Sequence, residues 1–479
     1  MSNLFSALGT ASNALRAFDR ALEATQNNIN NAATPGFAKQ RSRLEALPFE
    51  PANGLPGGVR AGALVSARDQ YAEQAVRRQV ELLGNFTQQA GALASIAGVF
   101  DVSGKSGIFA ALNQFFQSVS AWSVTPNSPA ARQEVLNSAG AVATSFQQAS
   151  QQLSRISAQL DGKIGQTAAQ INALTAQLAQ FNQERARAAT PDPGLDARIH
   201  ASLENLSELV NFTTLYAADG TVTVLLGGQT PLVQGDRQFA VSTGFFQPAA
   251  PPPVNPGAPP AAHLLDSNGQ DITSQVSQGQ LAGLLSVRNG LLPGLLGDGQ
   301  QQGDLNRLAQ QFADRVNQIL GQGQITQGPP PQSGVPLFAY TGGSPTGVAA
   351  TLALAPGITP SLLAAIDPGP PLGANGTALR LAGLANSTNP ADQINGLTYT
   401  GYYSSLSARV GQQLADAKQG EQTQSLAVAQ ARSLRGEISG VSLDEEATRL
   451  IELQRSYQAN ARMVTVVSEL TETVINMLR

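Results

Sequence analysis

Apolar residues near the start of the chain recur in steps of four and three: Leu4, Leu8, Ala11, Leu15, Phe18 and Leu22, with Ile29 one heptad past Leu22. This spacing predicts a helix with a narrow coiled-coil seam rather than a broad core-facing stripe. The helix should stop between Asn30 and Gly36, because Pro35 pushes Thr34 out of the α region and Gly36 can take a positive φ. The far end repeats the theme. Ser442 and Glu445 form an S-x-x-E capping box, and Asp444, Glu445 and Glu446 offset the positive end of the helix that follows. Glu445 is also spaced to pair with Arg449. Beyond the box, Leu450, Leu453, Tyr457, Ala461, Val464, Val467, Leu470, Val474 and Met477 mark one apolar face running almost to Arg479. Two terminal helices, each too thin to be stable alone, are natural partners for each other.

Between them the pattern changes several times. Residues 37–68 are rich in Gly, Pro and Ala and read as extended or turn-rich, and 70–98 return to helix. Leu112, Phe115, Phe116 and Val119 predict a short helix stopped near Pro126 and Pro129. A long helix follows on Phe146, Leu153, Ile156, Leu160, Ile164, Ile171, Leu174, Leu178 and Phe181. Its doubled four-step at Ile156, Leu160 and Ile164 is a stutter that unwinds a supercoil locally. The run 190–194 breaks it, and Leu195 to Val210 forms another helix. At Asn211 the period becomes two: 212–216 and 221–226 read as strands joined by a turn at Asp219-Gly220. The Pro-rich stretches 248–260 and 328–336 read as polyproline-like linkers. Helices are expected again over 304–321 and 400–435, with short strands within 337–360.

The expected fold class is mainly α with inserted β: paired terminal helices as a coiled-coil domain, a long-helix bundle, and a small β-rich outer insert. In residue numbers, 1–44 with 440–479 form the terminal domain. Residues 45–211, 276–324 and 396–439 form the bundle, 212–275 the β-rich insert, and 325–395 a mixed part that extends it.

Composition narrows the function. Only 13% of the 479 residues are charged, about half the usual ~25%. Ala, Gln, Asn, Ser and Gly take their place, which suits long, weakly charged helices packed in an assembly. A net charge of −4 with only four lysines leaves no basic stripe for nucleic acid. Cysteine is absent, which excludes disulfides and thiolate chemistry. The first thirty residues carry Arg16, Asp19, Arg20 and Glu23 at helical spacing and lack the layout of a cleaved signal, and no apolar run is long enough to span a membrane.

Nothing builds a catalytic or metal constellation. Gly104-Lys105-Ser106 lacks the glycine a phosphate loop needs at Val99 and reads as a surface turn. The two histidines, His200 and His263, have no third partner at a recognisable spacing and read as packed or surface residues. No enzyme activity, cofactor or metal is therefore expected.

The segment from Thr25 to Phe37 (TQNNINNAATPGF) resembles the N-terminal signature of flagellar rod, hook and hook-associated subunits, approximately NNIANANTPGY. From Ser439 to Leu478, GVSLDEE and YQANAR resemble the matching C-terminal signature, in the right order along the chain. The helical region after residue 85, with PNSPAARQEVL from Pro126 to Leu136, is most similar to the hook-associated members. Ala33 and Phe37 depart from the usual Asn and Tyr, and the loss of a hydroxyl at Phe37 removes whatever hydrogen bond it makes elsewhere.

The resemblance implies a structural subunit at the junction of hook and filament. The terminal helices would line the inside of a tube and the β insert would face outward. Another axial subunit (hook or distal rod) is the near alternative, and a secreted coiled-coil adhesin the distant one. The implied partners are copies of the same chain, the hook protein, the adjacent hook-associated junction protein, and an export chaperone on the C-terminal helix; neither nucleic acid nor membrane is among them. The implied place is the extracellular flagellum, reached by type III export without a cleaved signal peptide. The expected assembly interface combines seams and signatures: Leu8, Leu15, Phe18, Leu22, Asn27, Asn28, Ile29, Pro35, Gly36, Phe37, Leu450, Leu453, Tyr457, Asn460, Val464, Val467, Leu470 and Val474.

Overall fold

The computed structural model describes residues 2–50, 55–188, 192–246, 259–341, 347–369 and 373–477. In chain order the first elements are α1 (Ser2–Asn30), β1 (Gln40–Ala46), β2 (Phe49–Glu50), β3 (Leu55–Pro56), β4 (Val59–Ser66), α2 (Gln70–Ala97), α3 (Gly107–Val124), α4 (Pro129–Arg187) and α5 (Pro193–Leu209). Then come β5 (Phe212–Tyr216), β6 (Val222–Leu226), β7 (Thr230–Gln234), β8 (Arg237–Gln238), β9 (Ser242–Phe246), β10 (Ala261–Leu265), α6 (Gly279–Leu285), α7 (Leu292–Leu296) and α8 (Asp304–Gln322). The last are β11 (Gln324–Thr326), β12 (Gln332–Ser333), β13 (Phe338–Ala339), α9 (Val348–Thr351), β14 (Ala353–Leu354), α10 (Gly376–Gly383), α11 (Tyr399–Ser439) and α12 (Leu443–Met477). The result is a mainly helical fold with small sheets. The chain divides into two compact units: Met1–Leu82, Asn172–Ala240 and Gln424–Arg479 form the first, and Leu83–Ile171 with Val241–Thr423 the second.

In the first unit, α1 packs along α12 and also against the antiparallel hairpin β1/β4, whose register runs from Gln40 opposite Ser66 to Ala46 opposite Val59. The segment expected to be turn-rich is thus largely a hairpin. Strands β5 to β8 form a four-stranded antiparallel meander. The first turn is closed by Asp219, whose Oδ1 accepts from Thr221 N at 2.9 Å. Val222, Val224 and Leu226 alternate inward and are buried, as the two-residue period requires. Asn182 of α4 staples the sheet. Its Nδ2 donates to the carbonyls of Val222 and Gly235, both at 2.7 Å, and its Oδ1 accepts from Val222 N at 2.9 Å.

The second unit is built around aromatic rings on α3, α8 and α11. Phe312 meets Phe115 and Tyr399 edge-on at 5.4 Å and Phe338 at 5.5 Å, spacings at which ring quadrupoles attract. Asn317 satisfies the backbone of the β13 segment, donating to Phe338 O at 2.8 Å and accepting from Leu337 N at 2.8 Å. Trp122, the single tryptophan, is fully buried and donates through Nε1 to Pro126 O at 3.2 Å. Gly420 lets α11 approach the Phe86 ring, since a Cβ there would sit 2.5 Å from it.

Three expectations need adjusting. The long helix begins at Pro129 rather than near Phe146, because proline is well tolerated in a first turn and the Ala-rich 130–145 continues the helix. The stretch 328–336 is not purely polyproline-like, because β12 within it pairs with β11. Glu445 does not pair with Arg449; its carboxylate faces Lys39 Nζ at 3.7 Å instead. The stretch 248–260 lies outside the described residues except for its last two positions, and the 190–194 break is described only from Asp192. Gly104-Lys105-Ser106 sits in an exposed turn whose Ser103 and Ser106 hydroxyls donate to Asp101 at 3.0 and 2.7 Å. His263 stacks on Phe246 at 3.9 Å and bonds Asp271 at 2.8 Å. No group of three or more possible metal ligands exists among the described residues.

One half-buried carboxyl should mark the pH dependence of the first unit. Burial, outweighing the Phe212 backbone hydrogen bond and the nearby Arg77 and Arg78, pushes Glu81 from the ordinary 4.5 up to about 7. The folded state therefore holds this proton more tightly than the unfolded chain. Its stabilising share is complete at low pH and is lost as pH climbs from the unfolded value through about 7. Glu81→Gln is expected to remove this loss and to raise stability at about pH 8 by roughly 1–3 kcal/mol. Denaturant titrations of both proteins at about pH 5 and 8 check it; parallel pH profiles would contradict it.

Candidate assembly surface

Alpha-helices α1 and α12 carry most of the residues expected to act in assembly. The row of α1 buried inside the first unit is made of small residues: Ala11, Ala14, Ala17, Ala21 and Ala24, with Thr25 and Asn28. Ala14, Ala21 and Asn28 are one heptad apart, so they form a single column. Leu8, Leu15, Phe18, Leu22 and Ile29 lie beside this column and stay partly exposed. On α12 the inward column is Glu446, Leu453, Asn460, Val467 and Val474, again at intervals of seven. Glu446, Leu453 and Val467 are buried, and Asn460 and Val474 partly so. Leu450 and Val464 flank that column and are partly exposed.

Large apolar side chains remain outside. Ile451, Tyr457, Met463, Val466, Leu470, Ile475 and Met477 of α12 are all exposed, Leu470 by 51% and Met477 by 79%. Scattered apolar residues on a surface are ordinary, and here Met463, Val466, Leu470 and Met477 recur at helical spacing along one side of α12. Alanine on the inside brings the helices close at little apolar area. The larger residues are left to face elsewhere.

The junction between α1 and β1 is fixed by Asn28, which is 1% exposed. Its Nδ2 donates to Gln40 O at 2.8 Å and to Glu446 Oε2 at 3.0 Å, and its Oδ1 accepts from Gln40 N at 2.8 Å. Asn27 caps the same turn, with Oδ1 accepting from Asn31 Nδ2 at 2.8 Å. Pro35 is exposed, and Gly36 and Phe37 are partly so. Gly36 has φ +74 and rests on α5: a Cβ there would lie 2.5 Å from the Ala197 carbonyl oxygen. Its own carbonyl accepts from Arg68 Nη2 at 2.6 Å.

Arg68 opens a network the sequence did not signal. Its guanidinium also bonds Glu73 and, through Nε at 2.9 Å, Asp196. Arg435 joins Glu73 at 3.1 Å to Glu204 at 2.7 Å, and Arg432 reaches Glu204 from α11 at 2.8 Å. Ser439, buried where α11 ends, accepts at its carbonyl from Lys39 N at 2.9 Å and donates its hydroxyl to Ala67 O at 3.1 Å. The cap of α12 takes only half of its expected form: Ser442 Oγ accepts from Glu445 N at 3.4 Å, while the Glu445 side chain goes to Lys39. Arg68, Glu73, Asp196, Glu204 and Arg435 come from four separate segments, so no local spacing reveals them. Asn28 was visible as a signature residue; its burial could have been read from its place in the alanine column.

Asn28→Ala leaves the Gln40 backbone pair and the Glu446 carboxylate without these partners. It should destabilise the first unit by about 1–3 kcal/mol. Thermal unfolding followed by helical circular dichroism measures this, and an unchanged midpoint would remove Asn28 from its role as a clamp.

The chain is similar to known proteins over most of its length. Residues 93–338 match the family model of the flagellar hook-associated protein FlgK helical domain. Residues 8–37 match that of the flagella basal body rod protein, and 434–477 that of the flagellar basal body rod FlgEFG protein C-terminal region. Flagellar hook-associated protein 1 of Bacillus subtilis (strain 168) is 28% identical over 520 aligned residues, covering 99% of each chain. The protein of that name in Salmonella typhimurium is 27% identical over 324 residues, covering 65% of this chain and 56% of its own. The solved structure of the flagellar hook junction protein FlgK from Burkholderia pseudomallei shares the fold. It has a TM-score of 0.64 at 17% identity and covers 77% of this chain and all of that one. No helix among the described residues is long and apolar enough to cross a membrane. The chain belongs to the flagellar hook-associated protein FlgK family and is a structural protein of the bacterial flagellum, not an enzyme.

Proposed function

We propose that this chain is a subunit of the junction between hook and filament, and that residues 1–44 and 440–479 act as one assembly domain. The observation that supports this reading is the apolar surface left uncovered on α12, together with the partly exposed Leu8, Leu15, Phe18, Leu22 and Ile29 on α1. Neighbouring copies would cover these rows, with Tyr457, Val464, Leu470 and Val474 contributing from α12. Pro35, Gly36 and Phe37 would present the adjoining turn.

Assembly is coupled to ordering in this proposal. Fixing a residue costs ~1–2 kcal/mol of conformational entropy, which a thin helix pair offsets only when further contacts form together. Subunits would then stay apart until they dock at the growing tip. The partners fitting this role are other copies, the hook protein and the adjacent hook-associated junction protein. An export chaperone would shield the exposed row of α12 beforehand. The subunit would act outside the cell, delivered by type III export without a cleaved signal. A hook or distal rod subunit fits less well, since the long α4 and α5 stand where those would have a β-dominated middle.

Leu15→Asp and Val464→Asp place a charge on rows that are only partly covered in the single chain, so both variants should fold yet fail to assemble. Electron microscopy of cells carrying either variant should show hooks without filaments and flagellin shed into the medium, as in a deletion strain. Normal filaments and motility would refute the proposal. Amide exchange on the purified subunit reports separately on ordering, where strong protection of α1 and α12 in isolation would remove the coupling.

A further inference from the structure

The ion-pair network of the first unit leaves cations over. Arg68, Arg432 and Arg435 are matched by Glu73, Asp196 and Glu204. Arg77 and Arg185 lie in the same region, and neither has a hydrogen-bond partner for Nη1 among the described residues. Arg77 is more than nine-tenths buried, as is His200, whose Nδ1 also lacks a partner. A buried donor without an acceptor costs about 1–3 kcal/mol, and more when it is charged. Two guanidinium donors left over in one region call for an acceptor.

The space for one is present. A cavity of about 330 Å³ is lined by Arg68, Arg185, Asp196, His200, Tyr216 and Gly220. A second of about 280 Å³ is lined by Arg77, Arg78, Glu81 and Tyr216, and Gln70 and Tyr216 border both. Gly220, at φ +79, leaves room for the Arg185 head, because a Cβ there would sit 2.8 Å from Nε. His200 turns Nε2 toward Asp196 Oδ1 at 3.8 Å, which leaves Nδ1 on its other side. The Tyr216 ring lies nearly parallel to the imidazole, 6.1 Å away.

We propose that these adjoining cavities bind a small inorganic oxyanion, phosphate or sulfate, held by Arg77 and Arg185 beside the His200 ring. A guanidinium matches a tetrahedral oxyanion better than it matches water, because its donors form a planar fork and its charge is opposite. The imidazole lies beside the site as a neutral ring whose Nε2 faces Asp196, so it reports a bound anion without donating to it. Burial first, then Arg68, Arg77, Arg435 and Arg185, push His200 down to about 2. A bound anion offsets that field.

Calorimetric unfolding of the full chain in inorganic phosphate, against chloride at equal ionic strength, tests the site. Phosphate should raise the midpoint on the order of 2–4 °C at concentrations about tenfold above its dissociation constant. Arg77→Met and Arg185→Gln should each abolish this increment. With His263→Gln leaving one histidine, phosphate should move the His200 ring-nitrogen resonances, a readout that does not depend on how either arginine variant folds. Equal midpoints in phosphate and chloride, or an increment that persists in both variants with the His200 signals unmoved, would overturn the site.

Discussion

A carboxamide buried from water must have its donors and acceptor met by protein, and Asn28 meets them with groups from both ends of the chain. Gln40 supplies the backbone pair that turns α1 into the β1/β4 hairpin. Glu446 supplies a carboxylate from the first turn of α12, 418 residues away. One side chain thus sets where α1 gives way to the hairpin and how α12 is registered against α1. Alanine columns alone would permit a slide of one heptad at modest cost. A slide that strands Asn28 and Glu446 would not be so tolerated, which is how a single polar position fixes register in other helix pairs.

This division of labour shapes the first unit. Small residues on the inner column let backbones come close, and the polar clamp fixes their alignment. Leu453 and Val467 are the large apolar residues buried on these inner columns, and most of the others collect on the remaining faces. The β1/β4 hairpin closes another side of α1, and Gly36, beyond the helix end, is seated on α5 and tied to Arg68.

The helices and the β5/β6 hairpin were legible because their signals are local. Heptad spacing located α1 and α12, the change to a two-residue period located β5 and β6, and Asp219-Gly220 located their turn. The inner face of α1 was read less well. Ranking residues by hydrophobicity favours Leu15 and Leu22 as the contact row, yet the alanines beside them have the same period. What chooses between the rows is the close approach of α12 and the hairpin, and that information sits elsewhere in the chain. Asn28 with Glu446, Glu445 with Lys39, and the Arg68 network were hidden for the same reason. His200 was placed on its helix correctly, but its arginine neighbours come from α2, α4, α11 and the loop before α2.

The solitary indole also has a practical meaning. Trp122 lies deep in the second unit, and no other tryptophan exists in the chain. Intrinsic emission excited at the red edge therefore watches one half of the molecule and is deaf to the helices at the two ends. An optical trace of this protein that stays flat speaks for the aromatic nucleus around Phe312, while α1 and α12 could come and go unseen.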